Sequence, residues 1–140
     1  PYQWAYFEGV PFAPLRVPLD RCCLSLITTA SPIREESTSQ AGLPMAKEVS
    51  SGSTASPPER LYTADLAWDK ETTHTDDLDS YFPIHRLQEF VRDGRIGSLA
   101  ARYHGAPTEY SQRRTMEQDA PEILRRCRED GVEAALLVSL

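Results

Sequence analysis

A chain of 140 residues, 40% hydrophobic and 26% charged, is long enough for one globular domain with a buried core. Its formal net charge of −6, without a basic stripe, argues against a nucleic-acid or anionic-membrane partner, and no apolar run reaches the roughly 20 residues of a membrane span. Three cysteines (Cys22, Cys23 and Cys127) do not make a disulfide framework, which favours a reduced, cytoplasmic protein.

The first 20 residues predict an extended arm. Proline recurs every few residues, which prevents a long helix or a strand ladder. The arm also carries five aromatic side chains: Tyr2, Trp4, Tyr6, Phe7 and Phe12. We expect them to cover a hydrophobic surface, either of the same domain or of a partner in a homo- or hetero-oligomer.

Residues 22–30, CCLSLITTA, predict a buried strand of the kind found in parallel sheets. Thr28, Thr29 and Ala30 come at its carboxyl end, where open α/β sheets bind ligands, and are candidate substrate-binding residues. The alternative is that the threonines only cap the strand.

Residues 31–60 are rich in Ser, Thr, Pro, Gly and charge, and predict a mobile or functional insertion. Residues 61–68 alternate like a second short strand. An acidic link follows, which contains His74 and Asp79. Imidazole and carboxylates suit a metal, but the irregular spacing favours an Asp-rich loop before a helix, so no metal site is predicted.

Residues 83–93 predict the central helix of the domain. Ile84, Leu87, Phe90 and Val91 form one apolar face, and Pro83 fits a first helical position. Residues 96–102 predict a short strand that ends in a turn at Tyr103 and His104.

Residues 115–130 predict a second helix, with Thr115 and Gln118 as a capping box, and residues 132–139 a second buried strand. A helix followed by glycine and an apolar strand is half of a βαβ crossover. We therefore expect residues 1–140 to form a single α/β domain. Its expected architecture is a three-layer, mainly parallel sheet with flanking helices, like half of a Rossmann or flavodoxin fold.

Three blocks in order resemble the glycine/sarcosine/betaine/D-proline reductase selenoprotein B family. The first is the strand ending in Thr28-Thr29-Ala30. The second carries Phe82, Pro83, Arg86, Leu87, Gly94, Ile96, Gly97, Ser98, Leu99, Ala100 and Arg102, and the third Asp130, Gly131, Val132, Leu136 and Leu137. The chain departs from the family pattern at Ser31, where glycine is expected, and at Tyr103-His104, which relatives often carry in the reverse order.

This resemblance implies a subunit or fragment of a thiol- or selenol-dependent reductase. Such an enzyme reductively cleaves a C–N or similar bond of a small substrate. Its Cys or selenocysteine motif is expected just beyond Leu140 or on a partner chain. The resemblance also implies no bound cofactor and an external thioredoxin-like thiol as reductant. It places the substrate in a crevice where the strand ends at 28–30 and 139–140 lie side by side, bordered by His74, Asp79 and Tyr103. His104 is then the catalytic proton donor, the alternative being that it only caps a turn. The alternative is a non-catalytic binding module that kept the fold and lost the redox centre.

Overall fold

The computed structural model of the chain describes residues 6–10, 13–33, 48–63, 69, 71–72, 74–107 and 111–139. Its strands are β1 (Cys23–Thr28), β2 (Ser50–Ser53), β3 (Ser98–Leu99), β4 (Arg102–Gly105) and β5 (Ala134–Val138). Its helices are α1 (Ile84–Arg92), α2 (Gln112–Arg114) and α3 (Ala120–Glu129), with a π-helical turn, Thr115–Asp119, between the last two. Short 3-10 turns cover Leu19–Arg21 and Leu78–Ser80.

The sheet is mixed and is organised around β1. On one side β5 pairs with β1 in parallel, with Thr28 opposite Val138. On the other side β3 and then β4 pair with β1 in parallel, and β2 is the antiparallel partner of β4. The two strands predicted within 22–29 and 132–139 are therefore neighbours in one sheet, and the sheet is flanked by helices as in an α/β domain.

Alternate side chains of β1 enter two different hydrophobic clusters. Leu26 packs with Ile84 and Leu87 of α1, whereas Ile27 packs with Ile123 of α3. Successive side chains of a strand point to opposite faces, so the two clusters lie on opposite faces of the sheet.

The central helix begins and ends close to the predicted residues. Pro83 stands at the N-cap position, one residue before the helix, rather than inside its first turn. The Oδ1 atom of Asp79 accepts hydrogen bonds from the backbone N–H groups of His85 and Arg86, at 2.9 and 3.2 Å. Gly94 follows the helix with a φ of +69°, a conformation that glycine adopts without steric cost.

The second predicted helix begins earlier than its sequence indicates, and the capping box of Thr115 and Gln118 is wrong. Ser111 caps α2 instead, its hydroxyl accepting from the backbone N–H of Arg114, and Thr115 lies within the helical segment. The π-helical turn directly precedes Pro121. Because proline has no N–H and its ring crowds the preceding turn, a locally widened turn lets the helix continue through it.

The last part of the segment 31–60, which was predicted to be a mobile or functional insertion, contains a strand. Ser50–Ser53 form β2, with Ser50 opposite Gly105 in β4. Residues 34–47 lie outside the described residues. The strand predicted at 61–68 reduces, where it is described, to an isolated bridge in which the N–H of Tyr62 donates to the carbonyl of Ser31; residues 64–68 lie outside the described residues as well.

The large apolar side chains described in the first half of the arm are exposed. Tyr6, Phe7 and Val10 are 84%, 61% and 84% exposed. Among the helices in the described part of the chain, none has both the length and the apolar composition needed to cross a membrane.

Candidate functional site

The carboxyl ends of three strands meet at one edge of the sheet. Thr28 ends β1, and it lies opposite Gly105 at the end of β4 and opposite Val138 at the end of β5. Ligands of open α/β sheets bind at this kind of edge. The predicted juxtaposition of Thr28 with the end of the last strand is present; Leu140 lies outside the described residues.

Polar groups at the end of β1 form hydrogen bonds with nearby backbone groups. Thr28 is 1% exposed, and its hydroxyl accepts a hydrogen bond of 3.1 Å from the backbone N–H of Ala30. Its carbonyl accepts from the N–H of Ala106 at 2.8 Å. Thr29 is half-buried and Ala30 buried. The capping alternative therefore accounts for the Thr28 hydroxyl and the Ala30 N–H.

The other two candidates, His74 and Asp79, contact residues of their own loop and of α1. His74 is exposed, with its Nδ1 atom 3.4 Å from a carboxylate oxygen of Asp76. Asp79 uses both carboxylate oxygens at the start of α1, since its Oδ2 atom is 2.7 Å from Nδ1 of His85. The role of Asp79 is thus to cap a helix. Among the described residues no group of three or more His, Cys, Asp or Glu side chains is arranged to hold a metal ion.

Tyr103 and His104 are consecutive residues of β4, so the prediction of a turn at this place is wrong. Their side chains point to opposite faces of the sheet and cannot both border one crevice. The Tyr103 ring meets Phe82 edge-on at 4.7 Å between centroids, in the cluster that contains α1. Tyr103 is thereby a core residue, whereas His104 faces α3.

His104 is completely buried, yet it is connected to the surface. Its Nδ1 atom lies 2.9 Å from the hydroxyl of Ser51 in β2, while Nε2 has no hydrogen-bond partner among the described residues. Burial, reinforced by the positive charge of Arg102, lowers the pKa of His104 below its ordinary value. The imidazole is therefore neutral near pH 7, and its link to solvent is the exposed Ser51.

Ser51 is also held from the helix side. The Nη1 atom of Arg126 donates to its hydroxyl at 2.7 Å, and the Nε atom of Arg126 donates to Glu122 at 2.7 Å. Hydrogen bonds from Arg125 and then from Arg126 lower the pKa of Glu122 to about 2. The polar chain from His104 through Ser51 to Arg126 and Glu122 thus joins the buried strand to the surface of α3.

This series of polar contacts ends at a cleft of about 320 Å³ at the carboxyl edge of the sheet. Because β2 runs antiparallel to β4, the residues just before Ser50 lie beyond the carboxyl end of β4. Both arginines of the cleft lie on the helical segment, where Arg126 pairs with Glu122 and Arg114 with Asp119. A third carboxylate, that of Glu48, comes from the residues just before β2. The lining residues of the cleft are Glu48, Val49, Arg114, Gln118, Asp119, Glu122 and Arg126. Such mixed charges suit a small ligand that bears both an ammonium group and a carboxylate.

The three cysteines, all free, do not line this cleft. Cys22 and Cys127 are buried, and desolvation raises the pKa of both thiols. A raised pKa keeps a thiol protonated and unreactive. The buried environments of Cys22 and Cys127 thus agree with a redox thiol that lies beyond Leu140 or on a partner chain.

The comparisons with known proteins add no relative. No protein-family model matches the chain, and neither the curated proteins nor the solved structures contain a match.

Neither Ser51 nor Arg126 is recognisable as a site residue from the sequence. Ser51 lies in a serine-rich stretch without hydrophobic periodicity, and no local signal distinguishes it from its neighbours. Arg126 belongs to a group of arginines interleaved with Glu122 and Glu129, a pattern typical of a solvated helix face. Arg125 fits that interpretation, since it pairs with Glu122 and Glu129 along the helix. Arg126 differs because its side chain extends across to β2.

Proposed function

We propose that this chain is a subunit or fragment of a thiol- or selenol-dependent reductase that cleaves a C–N bond of a small zwitterion such as glycine, sarcosine, betaine or D-proline. The observation that carries the proposal is the cleft of mixed charge at the carboxyl edge of the sheet. A substrate carboxylate would compete with Glu122 for Arg126 and with Asp119 for Arg114, and an ammonium group would face Glu48. The order of the three sequence blocks supplies the reaction type.

In this proposal the strands and helices form half of a three-layer, mainly parallel Rossmann- or flavodoxin-like fold. The two clusters on opposite faces of β1 support that arrangement. The protein works in the reducing cytoplasm, where its free cysteines stay reduced.

The chemical step needs a thiolate or selenolate from beyond Leu140 or from a partner chain. The chalcogenide attacks the substrate carbon, the C–N bond breaks, and the amine leaves with its electron pair and gains a proton. An external dithiol then reduces the chalcogen–carbon bond: the carbon fragment leaves and is protonated, the thiol or selenol is regenerated, and the dithiol is oxidised to a disulfide. His104 is too deeply buried to touch substrate, so its part is that of a positioning residue that orients the Ser51 hydroxyl beneath the cleft.

Binding tests the substrate class directly. We expect betaine, titrated into the chain and followed by NMR chemical shifts, to bind saturably with shifts at the cleft. Arg126→Gln should weaken binding by about tenfold or more because one charge-assisted contact is lost. Arg128→Gln, on the same helix but outside the cleft, is the matched control. Unchanged affinity in Arg126→Gln, or no saturable binding of any of the four zwitterions, would contradict the proposal.

A non-catalytic binding module is the second candidate, and the buried, unreactive environments of Cys22 and Cys127 favour it. The coding sequence past Leu140 separates the two functions. A Cys or selenocysteine motif within a few residues, together with dithiothreitol-dependent release of trimethylamine from betaine by the whole assembly, supports the reductase. A stop codon and binding without turnover support the module.

A further inference from the structure

An apolar groove of about 410 Å³ runs between α3 and β5, and it shares Asp119 with the cleft described above. Its walls include Ile27, Ile123, Leu124, Val132 and Leu137. Leu137 is 72% and Leu124 49% exposed, so two leucine side chains stand in solvent at its rim. Large apolar side chains grouped in this way mark an interaction surface.

The strand beside the groove is an unprotected edge. Among the described residues β5 pairs with β1 alone, and its sequence AALLV contains no charge, proline or glycine. Leu136 on the other face of β5 is also partly exposed, at 38%. Sheet edges that face water in stable monomers are usually shielded by charges, proline or a bulge.

A second depression adjoins the groove and is lined by charged side chains of both signs, with Glu129 beside the arginines. Leu124 belongs to both depressions, and beyond it Arg125 and Arg128 line the second one. Arg125 is already paired with Glu122 and Glu129. The combined surface therefore presents an apolar slot followed by guanidinium groups. Of these, the guanidinium of Arg128 suits an acidic ligand.

The arm of this chain has matching chemistry. Tyr6 and Phe7 are exposed aromatic residues, and Glu8 follows them directly. An aromatic pair next to a carboxylate complements an apolar slot next to a guanidinium. Within one molecule these arm residues leave the groove open, since they remain exposed.

We propose that the groove between α3 and β5 receives the aromatic arm of a second copy of this chain, with Tyr6 and Phe7 against the leucines and Glu8 paired with Arg128. Each copy supplies one arm and one groove, so a two-fold dimer satisfies both surfaces and covers the open side of β5. The inference is independent of the proposed reductase function.

Sedimentation equilibrium over a range of concentrations tests the proposal. We expect a reversible dimer whose dissociation constant rises by about tenfold or more in Phe7→Ser and in Leu137→Lys, because each removes an aromatic or aliphatic anchor. Met116→Lys, which alters an exposed residue outside the groove, should leave the dimer unchanged. All three positions are exposed, so circular dichroism should show the same fold in each variant.

Charge reversal identifies the pairing. Glu8→Arg and Arg128→Glu should each weaken the dimer, and the double variant should restore it. A chain that is monomeric throughout would overturn the proposal. So would a dimer broken by Leu137→Lys but unaffected by Phe7→Ser, which would indicate direct pairing of two β5 edges. A monomer in which Phe7 becomes protected from solvent would indicate docking within one chain and would equally overturn it.

Discussion

Gly97 illustrates how one residue type can be required by a backbone contact. Its N–H donates to the carbonyl of Leu19 at 3.0 Å, and a Cβ atom at this position would lie within 2.8 Å of backbone atoms of Arg21 and Cys22. The backbone therefore passes too close for any side chain. Glycine at this position of the second sequence block allows the entry to β3 to pack on the entry to β1.

We expect Gly97→Ala to lower the free energy of unfolding by about 1–3 kcal/mol, because the added methyl group must displace backbone. Urea denaturation measures the change. Gly9→Ala is the control, since a Cβ atom there meets nothing within 4 Å. Equal stabilities of the two variants would contradict the close approach.

Arg102 and Asp130 show how two of the sequence blocks meet. Arg102 donates to the Asp130 carboxylate from Nε at 3.0 Å and from Nη2 at 2.9 Å, and these hydrogen bonds lower the pKa of Asp130. Both residues stand out in the sequence as members of their blocks. Their pairing does not, because 28 positions separate them and only the packing of β4 beside the end of α3 brings them together.

At the scale of elements, α1 depends on a cap that lies outside the helix. Asp79, in the preceding 3-10 turn, accepts hydrogen bonds from free N–H groups at the start of the helix. Pro83 at the N-cap position cannot accept them because it has no capping side chain. The sequence indicated acidic residues before this helix but not which of them acts as the cap.

Replacing this cap tests its contribution. Asp79→Ala should destabilise the protein by about 1 kcal/mol, the usual effect of losing a capping carboxylate. Asp76→Ala is the comparison, since Asp76 contacts only the exposed His74 among the interactions described for it. Thermal unfolding followed at 222 nm (a far-ultraviolet signal of helix) measures both variants. An unchanged melting temperature in Asp79→Ala would argue against the capping role.

The strand β2 could not be predicted from its own residues. Ser50–Ser53 have neither apolar alternation nor β-branched side chains, and Gly52 weakens a strand by itself. The ladder with β4 determines its conformation. Gly52 fits there because a Cβ atom would collide with the Tyr103 ring, so the partner strand rather than local propensity selects this residue.

At the scale of the whole molecule, the buried His104 makes stability depend on pH. Burial and Arg102 lower its pKa in the folded state, whereas the unfolded chain has the ordinary histidine pKa of about 6.5. The unfolded state therefore binds a proton first as the pH falls, and stability decreases below about pH 6.5. Glu122 and Asp130, which also face His104, have lowered pKa values and remain charged in this range.

We expect the unfolding free energy of the natural chain to fall between about pH 7.5 and 5.5, by at most about 1.4 kcal/mol per pH unit from this one histidine. Urea titrations at several pH values measure it. In His104→Gln that dependence should be reduced, whereas in His74→Gln, which alters an exposed histidine, it should persist. If the unfolding free energy of His104→Gln fell with pH as steeply as that of the natural chain, the pH dependence could not be assigned to His104.

The sequence by itself determined the parts that depend on local patterns. The apolar runs of β1 and β5, the amphipathic face of α1 and the glycine after it follow from neighbouring residues, and so does the parallel pairing expected of two buried strands joined through a helix. The tertiary structure alone decided the site. Ser51 comes from a strand without strand propensity, His104 from a predicted turn, and Arg126 from a helix face of alternating charges. His104 and Arg126 lie 53 and 75 positions after Ser51. Their contact depends on strand register, and a slip of one residue would turn His104 to the opposite face of the sheet.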